Sequence, residues 1–560
     1  MMNKIKYTIV LISGLIIFQS CSDFFDTNPD DILLGDDYIS TVDEFYSGYM
    51  GVAAKVADVA DQAVILSELR GNLLEPTENA PQGIWEIYNY TNDNNNEFTN
   101  PSGFYDVVVN ANDFIRHAII YKKNNPKAMS DDVFDGFMSA SIRYKVWAYL
   151  MLGKLYGKAI YFDDPMVEYQ PDHNYPTLNF DQLIDQLIVL MAEGITINND
   201  TIDYQINGMI PFLFSDVISV EGSRDNSWDL INPDPKCLKI ELDLWDENYD
   251  AVIAEAIDFL YADGDTKKYK ITLDEHDAEW ITDIFTGIDR GLLTDVRINC
   301  TLYNYDNGQE NDLLRFFSNQ EPNYYYLRPT QVIMDMFDNQ YQKDGITKGD
   351  KYRGNGRSFD EVDGQWVYRK LTHYFEDDPN LVYKTVDNIY MYRAPDIHFF
   401  LMEALNHKHL FREAEGLLNG GMTNDYYSKY DQSEWRYPFV DPLIYDAFTN
   451  NKYPNAGVRD RVALAYVFPT ADSIAEPNKY SFQLDSIILD ETCLESNGEA
   501  RSYFAMIRMA KRWNDPSILA SRVSAKYPEG KREEVYDRLM NPYNWYIEFD
   551  ITNNPVVSGE

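Results

Sequence analysis

The chain has 560 residues, with 91 Asp or Glu against 48 Lys or Arg, a formal net charge of −43. That balance excludes nucleic acid held by phosphate neutralisation and repels a heavily sulfated polysaccharide at long range, so a neutral ligand, or one bound with a metal, fits better. Aromatic residues make up 14% of the chain, including 43 Tyr and 9 Trp, enough to fill a core and still leave rings for stacking.

Residues 1–20 carry Lys4 and Lys6, then an apolar run from Tyr7 to Phe18 and Gln19-Ser20 before Cys21. A basic stretch followed by an apolar one too short to span a bilayer reads as a secretion signal, whose removal would take the net charge from −43 to −45. Beyond Cys21 the cysteines are Cys237, Cys300 and Cys493. Three thiols allow one disulfide at most and no pair has metal-ligand spacing, so they read as small buried apolar residues.

After a polar tether to about Asp37, residues 42–59 read as a helix, with Tyr46, Tyr49, Met50, Ala53, Ala54 and Val56 on broadly apolar faces. Residues 65–100 read as a long loop, punctuated by Pro76, Pro81 and Gly83 and running into an Asn-rich stretch at 92–96. Loops of that length are uncommon in a compact domain unless they bind something. Helical stripes resume at Ile142, Val146, Tyr149, Leu150 and Leu155, and again from Phe180 to Met191 before Gly194. A helix pair follows at 236–262, broken at 246–248, and residues 263–390 turn rich in Gly, Asn, Asp and Tyr, with a strand candidate at 365–371.

The clearest unit is 390–421. Ile397, Phe400, Leu401, Ala404 and Leu405 recur at helical spacing; Phe411, Ala414, Leu417 and Leu418 form a second stripe that Gly420-Gly421 ends. The three residues between them, 407–409, permit only an antiparallel hairpin. His407 and His409 read as turn residues. One hairpin cannot bury its own face, so others must stack on it, and a further pair is expected at 484–513. The fold class is therefore mostly α, a tetratricopeptide-like scaffold of helical hairpins with long loop-rich insertions.

Several short patterns occur in order along the chain: FYDVVVNANDFI at 104–115, LYGKAIYFDDP at 155–165, LRPTQVIMDMF at 327–337, and YRAPD at 392–396 followed by MEALN and EAEGLLN. GEARSYFAMIR at 498–508 and a tail that ends in Asn-Pro at 554–555 complete the set. Together they resemble the SusD/RagB family, surface lipoproteins that bind nutrient for a TonB-dependent outer-membrane transporter. Four positions depart from the family's pattern: Ile160 stands where Pro is usual, Ile333 for Leu, Tyr503 for Trp and Ala505 for Asp. Glu499, Arg501 and Arg508 are kept. Cys21 resembles the acylated cysteine of a bacterial lipobox, the alternative being an ordinary signal with a coincidental Cys, and residues 22–26 resemble an acidic surface-export tag.

The resemblance implies a signal over 1–20, a lipid-anchored tether over 21–37 and a SusD-like domain over 38–560, exposed at the outer membrane through Cys21. It implies an oligosaccharide ligand and a SusC-like TonB-dependent transporter as partner. By position, it places ligand contacts at Arg70, Asn79, Trp85, Tyr88 and Tyr90 in the early segment, and at Trp280, Tyr303, Tyr305, Tyr324, Tyr325 and Tyr326 in the middle insertion. Such residues suit sugars, whose C–H faces stack on rings and whose hydroxyls meet planar polar groups. Each ring could instead pack beneath its own loop.

No enzyme constellation stands out: HExxH, G-x-S-x-G and P-loop patterns are missing, seven His are scattered, and 91 acids make any carboxylate pair uninformative. No catalytic residue and no cofactor are expected. The acidic stretches at 242–250 and 360–363 offer hard oxygen ligands for Ca²⁺, but neither has the spacing of a calcium loop, and a solvated acidic surface is the plainer reading. Peptide cargo, as in a RagB-like protein, and a cryptic glycoside hydrolase stand as alternatives.

Overall fold

A computed structural model describes residues 39–91, 96–163, 175–199, 202–212, 227–261, 271, 297–301, 303, 310–371, 388–421 and 456–548. Helix α1 spans Val42–Arg70 and opens on a reciprocal cap, in which the Thr41 hydroxyl accepts from Glu44 N and the Glu44 carboxylate accepts from Thr41 N. It runs well past residue 59, because buried apolar positions continue through Val59, Ala63, Val64, Leu66 and Leu69 with no breaker before Gly71. The expected loop at 65–100 is corrected in the same way. It comprises the end of α1, strand β1 (Leu74–Pro76), helix α2 (Gln82–Tyr88) and a 3-10 turn at Glu97–Thr99. Pro76 ends the strand and Pro81 is the N-cap of the helix, so residues that read as loop punctuation mark element boundaries.

Helices α3 (Ser102–Asn124) and α4 (Asp131–Tyr156) form a hairpin against α1. From Gly136 onward every residue of α4 is buried, which is why its stripe is broad and its start, capped by Ser130, lies ahead of Ile142. Gly157 ends it at φ +70, a left-handed cap that a side chain would strain. Strands β2 (Lys158–Ile160) and β3 (Thr177–Asn179) pair and lead into α5 (Phe180–Ala192), followed by the β4–β5 hairpin (Ile195–Asn199, Ile202–Ile206).

The stack continues with the hairpin of α6 (Pro235–Trp245) and α7 (Tyr249–Tyr261). Then come β6 (Arg297–Thr301), α8 (Leu313–Phe317), β7 (Leu327–Pro329), α9 (Gln331–Asp338) and the β8–β9 hairpin (Phe359–Val362, Gln365–Tyr368). Strand β10 (Ile389–Arg393) pairs with β6 and feeds the hairpin of α10 (Ala394–His407) and α11 (Phe411–Leu418). The short α12 (Val458–Arg461) precedes α13 (Pro477–Glu495), α14 (Ser502–Arg512), α15 (Ser517–Ser524) and α16 (Glu529–Leu539).

Packing follows the chain: α4 on α5, α5 on α6, α7 on α10, α10 on α13, with α14 returning to α1. This is the expected helical stack, and its described strands form two-stranded ladders only. The hairpin of α15 and α16 was not expected from the sequence, since α16 is dominated by charge and buries only Val535 and Leu539. Among the described residues no helix is long and apolar enough to cross a membrane.

The kept motif residues tie this stack together. Arg501 reaches the Asp396 carboxylate at 3.1 Å, and Arg508 holds Glu403 through two bonds of 2.8 and 3.1 Å. Cys237, Cys300 and Cys493 are buried free thiols, and burial pushes Cys300 up to about 12. A thiol so placed stays protonated at neutral pH and is a packing residue.

Candidate functional site

The early segment and the middle insertion, far apart in sequence, are joined by β1 and β7, which run antiparallel with Glu75 opposite Arg328. The ladder is prolonged by Thr77 N donating to Tyr326 O at 2.8 Å and Asn79 Nδ2 donating to Tyr324 O at 3.4 Å. The Thr77 hydroxyl also donates to Tyr325 O. From the other side, Tyr324 N and Tyr325 N both donate to Arg315 O, on α8, at 2.8 and 3.0 Å. The three tyrosines are thus pinned from two elements.

Pinning fixes which rings face out. Tyr325 adopts φ +51, is buried, and donates its hydroxyl to Trp366 O on β9 at 2.7 Å. Its neighbours point the other way. Tyr324 is 46% exposed and stacks on Tyr326 with ring centroids 5.1 Å apart and planes 18° from parallel. Tyr326 rests against Phe316 of α8 at 5.0 Å, and Phe316 meets Phe98 at 6.3 Å. The outermost ring therefore stands on a column of three others. Around it lie exposed Asn79, the Arg328–Glu75 pair at 2.7 Å and the Arg315–Glu310 pair at 2.6 Å, so each of these two cations is matched by an acid.

Such a surface can take the apolar face of a flat or puckered ring, with the Asn79 amide offering both a donor and an acceptor beside it. Because the ring column is ordered before binding, little side-chain entropy is lost on contact.

Other expected site residues lie beneath this surface. Arg70 is buried, donates to the carbonyls of Asn544 and Tyr546 at 2.7 and 3.2 Å, and lies 4.3 Å over the Tyr90 ring. Tyr90 is buried and donates its hydroxyl to Arg70 O. Tyr88 packs on Tyr527 at 4.6 Å, under the Lys526 ammonium, and Tyr303 donates to Ala57 O at 2.8 Å. These four, with Tyr325, hold the scaffold and present no ring outward. Trp85 is half-buried on α2, edge-on to Tyr88. Cys21, Trp280 and Tyr305 lie outside the described residues. Phe316 and Phe98 were not read as part of the site; the adjacent pair Phe316-Phe317 close ahead of the tyrosine run was the signal available.

Three of the acids weighed for Ca²⁺ are ion-paired. Asp243 pairs with Lys239, Asp250 with Lys408 and Asp360 with Arg369. Among the described residues no three His, Cys, Asp or Glu side chains gather as a metal site. His407 lies 2.8 Å from the Asp485 carboxylate, and His409 turns the chain at φ +58.

No protein-family model matches the chain, and no curated protein matches it by sequence. Solved structures do match. A SusD superfamily protein from Bacteroides vulgatus superposes with a TM-score of 0.57 at 13% identity, over 90% of this chain and 94% of that one. The surface glycan-binding protein A of Bacteroides uniformis gives 0.56 at 14%, covering 91% and 96%. That of Bacteroides thetaiotaomicron, in complex with laminarihexaose, gives 0.52 at 14%, covering 88% and 95%. With the tetratricopeptide-like stack and near-complete coverage in both directions, the chain has the SusD-like fold.

Proposed function

We propose that this protein captures oligosaccharide at the bacterial surface and passes it, unaltered, to a SusC-like TonB-dependent outer-membrane transporter. The observation that carries the reading is the exposed Tyr324 ring stacked on Tyr326, which offers a sugar's C–H face a flat and preordered partner. Proteins of the same fold are described as surface glycan-binding, one of them bound to laminarihexaose. Tyr324 and Tyr326 take the sugar face and Asn79 bonds a neighbouring hydroxyl, while Trp85, Trp280 and Tyr305 stand as the further contacts that the family resemblance implies.

The net charge of −43 favours a neutral glycan over an acidic one. Acylation of Cys21 would hold the protein on the outer membrane. A Cys21→Ala variant should then lose its fatty-acid label and leave the membrane fraction in a high-salt wash; retention of both would refute the anchor.

The function is tested by calorimetry and affinity gels on neutral, anionic and host-type glycans and on mixed peptides, with and without a calcium chelator. Heat from a neutral oligosaccharide, insensitive to chelation and without new reducing ends, is the expected result. Silence on every glycan with heat from peptides would move the protein to peptide uptake, and new reducing ends would make it a hydrolase.

A further inference from the structure

A second exposed surface lies at residues 341–351. Tyr341 bridges Lys348, Gln342 N donates to Thr347 O at 2.9 Å, and the Asp344 carboxylate accepts from Ile346 N, Thr347 N and the Thr347 hydroxyl at 2.6–2.9 Å. The base is bound to the chain before α13, through Lys343 N to Ala463 O and Ala465 N to Tyr341 O. This makes a firm turn, and its tip is Ile346, which at 82% exposure is the most exposed large apolar side chain among the described residues.

The surroundings of that tip are unlike the rest of the chain. Tyr341 and Tyr466 are exposed at the base, and Lys343, Lys348 and Lys351 are exposed around it. Of the acids of the same stretch, Asp350 pairs with buried Arg353 at 2.7 Å, while Asp344 is held in its turn by neutral donors and keeps its charge. Lys343 pairs with Asp460, while the Lys348 ammonium lies 5.6 Å from the Tyr341 ring and that of Lys351 lies 4.9 Å from Tyr352. With Lys343 matched by Asp460, Lys348 and Lys351 outnumber Asp344, so a protein carrying −43 shows a small net positive patch around an isoleucine.

Protein interfaces are enriched in Arg and depleted in Lys. Bilayer interfaces, by contrast, accept an apolar tip with tyrosines at the headgroup level and lysines that extend to the phosphates. We infer that the 341–351 hairpin docks on an anionic lipid surface, with Ile346 entering the headgroup–acyl boundary and Lys348 and Lys351 meeting lipid phosphates. The other acids of the chain are repelled by that surface, and screening decides the contest. The Debye length is about 8 Å at physiological salt, so distant acids drop out while groups at the surface still act; at about 0.01 M it is about 30 Å, and the whole negative chain is felt. Binding should therefore peak at intermediate salt. The inference does not depend on glycan binding or on acylation of Cys21.

The test is co-sedimentation of the unacylated chain beginning at Ser22, which keeps every described residue, with phosphatidylcholine vesicles with and without phosphatidylglycerol. Binding is expected only with phosphatidylglycerol, strongest near physiological salt and weaker at both low and high salt. Replacing Lys348 and Lys351 by Gln should weaken it about fivefold for each lysine, and Ile346→Asp should abolish it, with thermal melting unchanged because these side chains are exposed. Equal binding to both vesicle types, or unchanged binding by both variants, would overturn the inference. So would absence of vesicle binding with a concentration-dependent rise in mass that Ile346→Asp removes, which would assign the hairpin to a second copy of the chain.

Discussion

Arg393 and Glu499, both buried, share two parallel hydrogen bonds, Nε to Oε2 at 2.7 Å and Nη2 to Oε1 at 2.8 Å. Arg393 ends β10 and Glu499 lies just ahead of α14, so the pair fastens two hairpins of the stack. Lys370 joins Glu499 at 2.6 Å, and Arg393 reaches Glu495, which also holds Arg353 and Arg461. An Arg before α10 and a Glu before α14 therefore occur together because they are one bidentate contact.

Removing the Glu499 charge leaves Arg393 and Lys370, both buried cations, with one carboxylate fewer between them. Glu499→Gln should lower the unfolding free energy by about 3 kcal/mol or more, read from urea denaturation. The folded fraction should bind ligand as before, since the pair lies inside the stack.

Acid should loosen the same region. Burial opposes ionisation of Asp485, but Arg512 and the bonds from His407 and Trp513 outweigh it and draw its carboxyl from 3.8 down to about 2. Its folded value lies below its unfolded one, so its contribution is complete above the unfolded carboxylate range and is lost as pH falls through about 2. The melting temperature should fall steeply between about pH 4 and about pH 2, with about 2 kcal/mol from this group. Asp485→Asn should be less stable at neutral pH and show a shallower fall.

Glu68 acts in the opposite direction. Burial pushes its carboxyl from 4.5 up to about 7, although Ala500 N and the Ser502 hydroxyl donate to it at 2.9 and 3.2 Å. The folded protein keeps a proton that the unfolded chain releases, so stability declines as pH rises from the unfolded value to about 7 and then levels off. Glu68→Gln should be more stable at about pH 8, by up to about 3 kcal/mol, and little changed at about pH 5. Chemical denaturation at the two pH values checks this.

Tyr90→Phe separates scaffold from surface. It removes the hydroxyl that donates to Arg70 O and should cost about 1 kcal/mol of stability while leaving glycan affinity unaltered. A loss of affinity without a loss of stability would instead put Tyr90 in the site.

The helical stack was legible where apolar spacing is regular, as at Ile397 to Leu405 and Phe180 to Met191, because a stripe on one helix face demands a neighbour. It was less legible where burial is all-round, as in α4, or where charge covers a short helix, as in α16. The early loop was misread because prolines at strand ends and helix caps look the same in sequence as prolines in turns. Of the three adjacent tyrosines, only backbone geometry separates Tyr325, turned inward at φ +51, from Tyr324 and Tyr326. Arg70 and Tyr90 satisfy each other and nearby carbonyls, a pairing that composition cannot reveal.

The most direct measurement is calorimetric titration of Tyr324→Ala and Tyr324→Phe with the oligosaccharide that the unaltered protein binds. The ring column predicts that Tyr324→Ala loses about tenfold in affinity, about 1.4 kcal/mol, while Tyr324→Phe retains it and both melt like the parent. Unchanged affinity in Tyr324→Ala, and in Tyr326→Ala beside it, would contradict the assignment of this tyrosine pair as the ligand platform.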